Sequence, residues 1–100
     1  AIGNLEIDED KHEVRINGKK IILTLKEFEL LKIMAENPGR VMTRDFLLDA
    51  VWGYEYGGET RTIDVHVRNL RKKLWGDNEE GMIQTIRGVG YKFENPGDLK

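Results

Sequence analysis

The sequence has 100 residues, 39% of them hydrophobic and 34% charged, and its formal net charge is -2 at pH 7. This is the balance of a single globular domain, and no apolar run approaches the roughly 20 residues that a membrane-spanning helix needs. The chain contains neither cysteine nor serine. This excludes disulfides, thiolate metal sites and enzymes with a serine or cysteine nucleophile, and it favours a reducing compartment.

The first quarter of the chain predicts a small antiparallel sheet. Apolar and polar residues alternate at Leu5–Ile7 and again at Val14–Ile16, as they do when one face of a strand is buried. Asn17-Gly18 is a strong hairpin signal, because both residues tolerate positive φ. Ile21–Leu23 is then expected as a third strand, and the three strands form a meander.

The pattern changes to helical spacing at Thr24, which can form a capping box with Glu27. Asn37-Pro38-Gly39 ends this first helix, and residues 40–42 form a short extended bridge. Thr43 is expected to cap a second helix that ends near residues 52–53. The residues predicted to face the core are Leu25, Phe28, Leu31, Ile33 and Met34 in the first helix and Phe46, Leu47, Ala50 and Val51 in the second.

A third helix at about 60–74, starting at Thr60 or Thr62, and a hairpin at about 82–94 complete the prediction. The hairpin strands flank the turn Arg87–Gly90. Three strands, three helices and a final hairpin are the plan of an α+β winged helix-turn-helix, formed here as one domain over residues 1–100. The second and third helices are then the helix-turn-helix pair, and the hairpin is the wing.

The third helix has two contrasting sides when its residues are placed at about 100° per residue. The apolar stripe consists of Ile63, Val67, Leu70 and Leu74. The opposite side consists of Arg61, Val65, Arg68, Asn69 and Lys72. Arginine suits phosphate or guanine, asparagine can pair with adenine, and an exposed valine can touch a thymine methyl. The wheel alone fits an ordinary solvated helix equally well, but the position of this helix favours nucleic-acid recognition.

The hairpin turn and the histidines give weaker signals. Arg87 lies at the mouth of the turn, where it can enter a narrow minor groove or pair with a nearby carboxylate. The turn Gly88–Gly90 is better explained by tight geometry than by phosphate binding. His12 and His66 lack any ligand spacing, so neither a metal nor a cofactor is expected.

The stretch at 60–74 reads TRTIDVHVRNLRKKL and resembles the recognition helix of OmpR/PhoB-type effector domains, the output domains of bacterial two-component response regulators. Three other stretches agree in order and spacing, and together they span nearly the whole chain. They are Leu23-Thr24 with Glu27-Phe28 and Leu30-Leu31, then Val51-Trp52-Gly53, and then residues 84–93. The resemblance implies that the final hairpin pairs with a short strand near Val41.

The resemblance also implies roles in binding double-stranded DNA. The positions that match base-reading residues are Thr62, Val65 and Asn69. The positions that match phosphate contacts are Trp52, Arg61, His66, Arg68, Arg71, Thr85 and Tyr91. Arg87 resembles a minor-groove arginine. Relatives often have arginine where this chain has Asn69, and asparagine here favours adenine. The loop with Tyr54, Glu55, Tyr56 and Glu59 resembles a segment that contacts RNA polymerase, although a simple connecting turn explains it equally well.

The partners expected from the resemblance belong to a longer regulator. The first residue is Ala1 rather than methionine, which fits an excised domain. A receiver domain, phosphorylated by a sensor histidine kinase, would precede it. The isolated domain is then a monomer, and two copies bind tandem direct repeats in the cytoplasm, with half-sites roughly 10–11 bp apart. No membrane partner is expected.

Two other functions are compatible with the residues. A protein-interaction module would bind an acidic partner through the basic face of the third helix. A hydrolase with paired carboxylates is less favoured, because no acidic pair has the apolar surroundings that raise a pKa.

Overall fold

A computed structural model describes residues 5–53, 59–76 and 81–94. These residues form six strands and three helices, and their order confirms the predicted α+β winged helix. The elements are β1 (Leu5–Asp8), β2 (Glu13–Ile16), β3 (Lys19–Ile21), α1 (Leu25–Ala35), β4 (Val41–Thr43), α2 (Arg44–Trp52), α3 (Arg61–Trp75), β5 (Ile83–Ile86) and β6 (Gly90–Phe93).

The first sheet is the predicted meander, with strand order β1-β2-β3 and antiparallel pairing throughout. Asn17 and Gly18 both have positive φ, of 53° and 80°, and they form the expected turn. The third strand was predicted too late in the chain. The turn pairs Ile16 with Lys19, so β3 begins at Lys19 and ends at Ile21, and Ile22 is exposed.

The caps of the first two helices are confirmed. The Thr24 hydroxyl accepts a hydrogen bond from the Glu27 amide at 3.2 Å, and the Thr24 amide donates to Glu27 Oε1 at 3.0 Å. Thr43 Oγ1 accepts from the amide of Phe46 at 3.1 Å. The third helix begins at Arg61, and Thr60 makes no side-chain cap.

Some of the predicted core positions of α1 and α2 were wrong. Leu25, Phe46 and Ala50 are exposed, whereas Leu30 and Leu48 are buried. In α2 the apolar residues form two neighbouring stripes on the helix. Because α2 packs against both α1 and α3, the stripe that includes Leu47, Leu48 and Val51 is buried and the stripe of Phe46 and Ala50 faces solvent.

The second sheet joins the C-terminal hairpin to the segment before α2, in the order β4-β6-β5. Met42 lies opposite Tyr91, and Thr43 lies opposite Gly90. The approach at Gly90 is so close that an added Cβ would lie 1.9 Å from the carbonyl oxygen of Met42. Only glycine fits this position, and strand β6 is therefore held against β4 directly after the hairpin turn.

One apolar core joins the helices to both sheets. Its fully buried side chains include Leu5 from β1, Leu30 and Leu31 from α1, Leu47 from α2, and Ile83 and Phe93 from the hairpin. The predicted stripe of α3 is confirmed, since Ile63, Val67 and Leu70 are 0% exposed and Leu74 is 5% exposed. None of the helices described is long and apolar enough to cross a membrane.

Candidate nucleic-acid interface

Because one stripe of α3 is buried, the opposite side of the helix faces solvent. The exposed residues on that side, which we call the outer face of α3, are Arg61, Val65, Arg68, Asn69 and Lys72. Val65 is 48% exposed, although valine is usually buried. The outer face therefore combines three cations and an amide with an apolar contact, the mixture that phosphates and base edges require.

At the N-terminal end of α3, the structure brings Thr62, His66 and Trp52 together. The Nδ1 atom of His66 lies 2.8 Å from the carbonyl oxygen of Thr62. Because a carbonyl can only accept, Nδ1 carries the proton, and Nε2 is the acceptor in the neutral ring. The Trp52 ring meets the His66 ring edge-on, with centroids 4.8 Å apart. This contact fixes the histidine beside the outer face.

A shallow pocket of about 220 Å³ lies at the same end of α3. It is lined by Glu59, Arg61, Thr62, Val65 and His66. Two predicted base-reading residues thus share a surface with two predicted phosphate contacts. Of the loop residues expected to contact RNA polymerase, Glu59 is exposed, and Tyr54, Glu55 and Tyr56 lie outside the described residues.

Arg71 binds the hairpin rather than extending outward. Its Nη2 atom donates to the carbonyl oxygen of Ile83 at 2.7 Å and to Thr85 Oγ1 at 2.8 Å, and Nε also reaches Ile83 O at 3.2 Å. Its guanidinium carbon lies 5.6 Å from the centroid of the Tyr91 ring. Three predicted phosphate contacts, Arg71, Thr85 and Tyr91, therefore form one connected group within the domain.

Asp64 is the second link between α3 and the hairpin. Its Oδ1 atom accepts a hydrogen bond from the Tyr91 hydroxyl at 2.5 Å and from Arg44 Nε at 2.8 Å. Burial would raise the pKa of Asp64, but the hydrogen bonds from Tyr91 and Arg44 outweigh it and lower that pKa. Burial, reinforced by the bond to Asp64, raises the pKa of Tyr91 to about 12. At neutral pH the pair is therefore an ionised carboxylate and a neutral phenol.

Arg87 is exposed where β5 meets the hairpin turn. The turn is closed by a hydrogen bond of 2.9 Å from the Val89 amide to the Ile86 carbonyl, with Gly88 at a φ of 74°. Sequence reasoning placed Arg87 at this turn but assigned no role to Asp64 or Arg44. The available signal was the single acid at Asp64 in an otherwise basic helix.

The described residues contain no group of three or more His, Cys, Asp or Glu side chains that could hold a metal ion. The geometry of the site is that of a recognition surface: an exposed basic helix face, a tethered hairpin and a solvent-exposed arginine at the hairpin turn.

Comparison with known proteins supports the same interpretation. Residues 18–93 match the family model described as "Transcriptional regulatory protein, C terminal". The sensory transduction protein RegX3 of Mycobacterium leprae is 48% identical over 94 residues, which cover 93% of this chain and 48% of that protein. The chain thus spans about half the length of this curated relative.

Two solved structures share the fold. The response regulator DrrB of Thermotoga maritima, an OmpR/PhoB homologue, gives a TM-score of 0.86 at 40% identity, covering 94% of this chain and 43% of that one. The RstA DNA-binding domain of Klebsiella pneumoniae, solved in complex with the RstA box, gives a TM-score of 0.85 at 35% identity. That match covers 95% of each chain.

Proposed function

The chain belongs to the family of C-terminal domains of transcriptional regulatory proteins, and from this we propose that it binds double-stranded DNA sequence-specifically as the output domain of a two-component response regulator. The family consists of regulatory DNA-binding domains of the OmpR/PhoB winged-helix type and not of enzymes. The RstA DNA-binding domain, which has the same fold, was solved in complex with the RstA box.

The observation that carries the proposal is the outer face of α3. An α-helix fits the major groove of B-form DNA, where base edges differ most. On this helix Val65 and Asn69 are exposed and Thr62 is half-buried beside them, within reach of base edges. Arg61 and Arg68 are exposed on the same helix and suit backbone phosphates. The face therefore supplies both affinity and sequence reading.

The other predicted contacts surround this helix. Trp52 and His66 lie beside its N-terminal end, and this position supports a role for both in contacting the DNA backbone. Thr85, Tyr91 and Arg71 lie where the hairpin joins the helix and offer a further phosphate contact. Arg87, exposed at the turn, reads the minor groove, where a narrow A·T-rich segment has the most negative potential.

The domain acts within a longer regulator in this proposal. RegX3 is named a sensory transduction protein, and this chain matches about half of it. A receiver domain phosphorylated by a sensor histidine kinase would bring two copies together on tandem direct repeats in the cytoplasm. The loop with Glu59 is a candidate contact for RNA polymerase.

The test is a fluorescence-anisotropy titration with two labelled duplexes, one random and one selected from a random pool by binding to this chain. We expect binding to both, a clear preference for the selected duplex, and an affinity that falls steeply with salt as counterions are released. Arg68→Ala should reduce the dependence on salt. A chain that binds neither duplex at low salt contradicts the proposal and favours an acidic protein partner instead.

A further inference from the structure

We propose that Asp64 is a positioning residue, which together with Arg71 fixes the hairpin on α3 so that the contribution of Arg87 to DNA binding depends on Asp64. This inference rests on the proposed DNA-binding function. It concerns how the two reading elements, the outer face of α3 and the hairpin turn, are kept at a constant relative position.

The first step is the bond between α3 and strand β5. Arg71 donates to the carbonyl oxygen of Ile83 through two of its nitrogens, and one of these also reaches the Thr85 hydroxyl. A planar guanidinium bound at several points has a defined orientation, unlike a lysine ammonium bound at one point. The position of β5 along the helix is therefore specified by this residue.

The second step is the bond between α3 and strand β6. The Asp64 carboxylate accepts from the hydroxyl of Tyr91, a residue only 5% exposed. Tyr91 is the cross-strand neighbour of Thr85, which Arg71 binds. The guanidinium carbons of Arg71 and Arg44 lie 5.6 Å and 5.9 Å from the Tyr91 ring centroid. Both strands of the hairpin are thus tied to the helix at the same cross-strand pair.

The third step is the spacing of the two ties. Asp64 and Arg71 are seven residues apart, which is two turns or about 10 Å along the helix axis. Two separated attachments restrict rotation of the hairpin as well as translation. Arg87 lies only two residues beyond Thr85, in the turn that directly follows the strand that Arg71 binds. These ties, which lie close to the turn, therefore set the direction in which the turn extends from α3.

The charge of Asp64 makes the idea testable. A carboxylate on a helix that faces DNA repels phosphates, so its removal alone would strengthen binding to any duplex. If Asp64 positions the hairpin, replacing Asp64 also reduces the contribution of Arg87 to binding in the minor groove. A role of Asp64 that is only electrostatic and a positioning role thus predict different outcomes for Asp64→Asn.

The experiment is a double-mutant cycle between Asp64→Asn and Arg87→Ala in this chain, measured on the selected duplex. In the wild-type background we expect Arg87→Ala to weaken binding to the selected duplex about tenfold. In the Asp64→Asn background we expect the loss to fall below about threefold. Asp45→Asn, an exposed acid at the start of α2, is the control for the change of charge and should leave the tenfold loss intact.

A second variant and a second measurement guard against simple unfolding. Tyr91→Phe keeps the ring between its two guanidinium neighbours and removes only the hydroxyl that Asp64 binds. In the Tyr91→Phe background, the loss caused by Arg87→Ala should therefore again fall below about threefold. Amide hydrogen exchange in the free protein should be faster in β5 and β6 for both variants, while the core amides of α1 stay protected.

The possible outcomes separate the two levels of the proposal. If Arg87→Ala costs the same factor in every background, Asp64 does not position the hairpin, and the inference fails while the DNA-binding function stands. If the wild-type chain binds no duplex, the proposed function fails. If hydrogen exchange in β5 and β6 is unchanged in Asp64→Asn and in Tyr91→Phe, the positioning role is rejected independently of any DNA binding.

Discussion

Lys73 of α3 donates a hydrogen bond of 2.7 Å to the carboxylate of Glu27 in α1, a residue that is only 3% exposed. The same carboxylate completes the capping box of α1 by accepting from the Thr24 amide. Burial alone would raise the pKa of Glu27, but the hydrogen bonds from Lys73 and Thr24 lower it. One side chain therefore starts the first helix and ties it to the third.

This double role predicts a large effect of Glu27 on stability. Glu27→Ala removes the cap and leaves Lys73 without its partner, and we expect it to lower the free energy of unfolding by about 2–3 kcal/mol. Glu27→Gln keeps an acceptor for the cap and should lose only about 1 kcal/mol. Urea denaturation followed by circular dichroism measures both. Glu6→Gln, at an exposed position of β1, is the control and should change little; equal losses for all three variants would contradict the prediction.

The lowered pKa of Glu27 also predicts how stability depends on pH. Its folded pKa lies below its ordinary value of 4.5, so its stabilising contribution is complete above that value and is lost as the pH falls through the folded pKa. Asp64, with a pKa below 3.8, acts in the same direction. We expect the free energy of unfolding to decrease as the pH falls below about 5. Glu27→Gln should make that decrease shallower, and an unchanged slope would show that Glu27 is not responsible.

Tyr91 predicts a loss of stability at the opposite end of the pH range. Its folded pKa of about 12 lies above its ordinary value of 10.0. The neutral phenol therefore stabilises the fold fully below pH 10, and this contribution is lost as the pH rises toward 12. Alkaline titration of tyrosinate absorbance should show a late step that is absent in Tyr91→Phe. Asp64→Asn should lower the pKa of Tyr91 without restoring it to 10, because burial remains the larger cause.

Gly90 and Gly88 form a matched pair in the hairpin. A Cβ at Gly90 would overlap the backbone of Met42, whereas a Cβ at Gly88 would meet nothing within 4 Å. We expect Gly90→Ala to cost on the order of 3 kcal/mol. Gly88→Ala should cost about 1–2 kcal/mol, from its positive φ alone. Thermal denaturation of the two variants measures the difference, and equal melting temperatures would contradict the close approach of β6 to β4.

Asn69 and Arg68 should differ in the kind of DNA binding that they support. Asn69→Ala should weaken binding to the selected duplex by roughly 1–3 kcal/mol, mostly through one base pair. Arg68→Ala should weaken binding to all duplexes more evenly, because phosphates are the same in every sequence. Anisotropy titrations with the selected and random duplexes separate the two. Equal losses on both duplexes for Asn69→Ala would remove Asn69 from the base-reading residues.

The features that sequence predicted well are those set within a few residues of the chain. Asn17-Gly18 fixed its turn, Thr24 and Glu27 formed their cap, and the period of Ile63, Val67, Leu70 and Leu74 identified the buried stripe of α3. In each case the interacting atoms belong to neighbouring turns or to one repeating face. Local geometry is then sufficient to determine the outcome.

The features that sequence missed depend on distant parts of the chain. Phe46 has a helical spacing that fits a core face, but tertiary packing of α2 selected the neighbouring stripe. The bonds from Asp64 to Arg44 and Tyr91 span 20 and 27 residues, and the pair Glu27–Lys73 spans 46. No periodic pattern encodes such pairs, so the bonds from Arg71 to β5 were not predicted beside its expected role as a phosphate contact.

The contrast between Gly90 and Gly88 has a consequence for protein engineering. Strand β6 lies close against β4 at Gly90, whereas a side chain at Gly88, two residues earlier in the turn, would meet no neighbour. Substitutions at the exposed residues Arg87 and Val89 that keep Gly88 and its positive φ should therefore leave the scaffold unchanged. A designer who wishes to alter the groove preference can therefore vary these two positions of the turn.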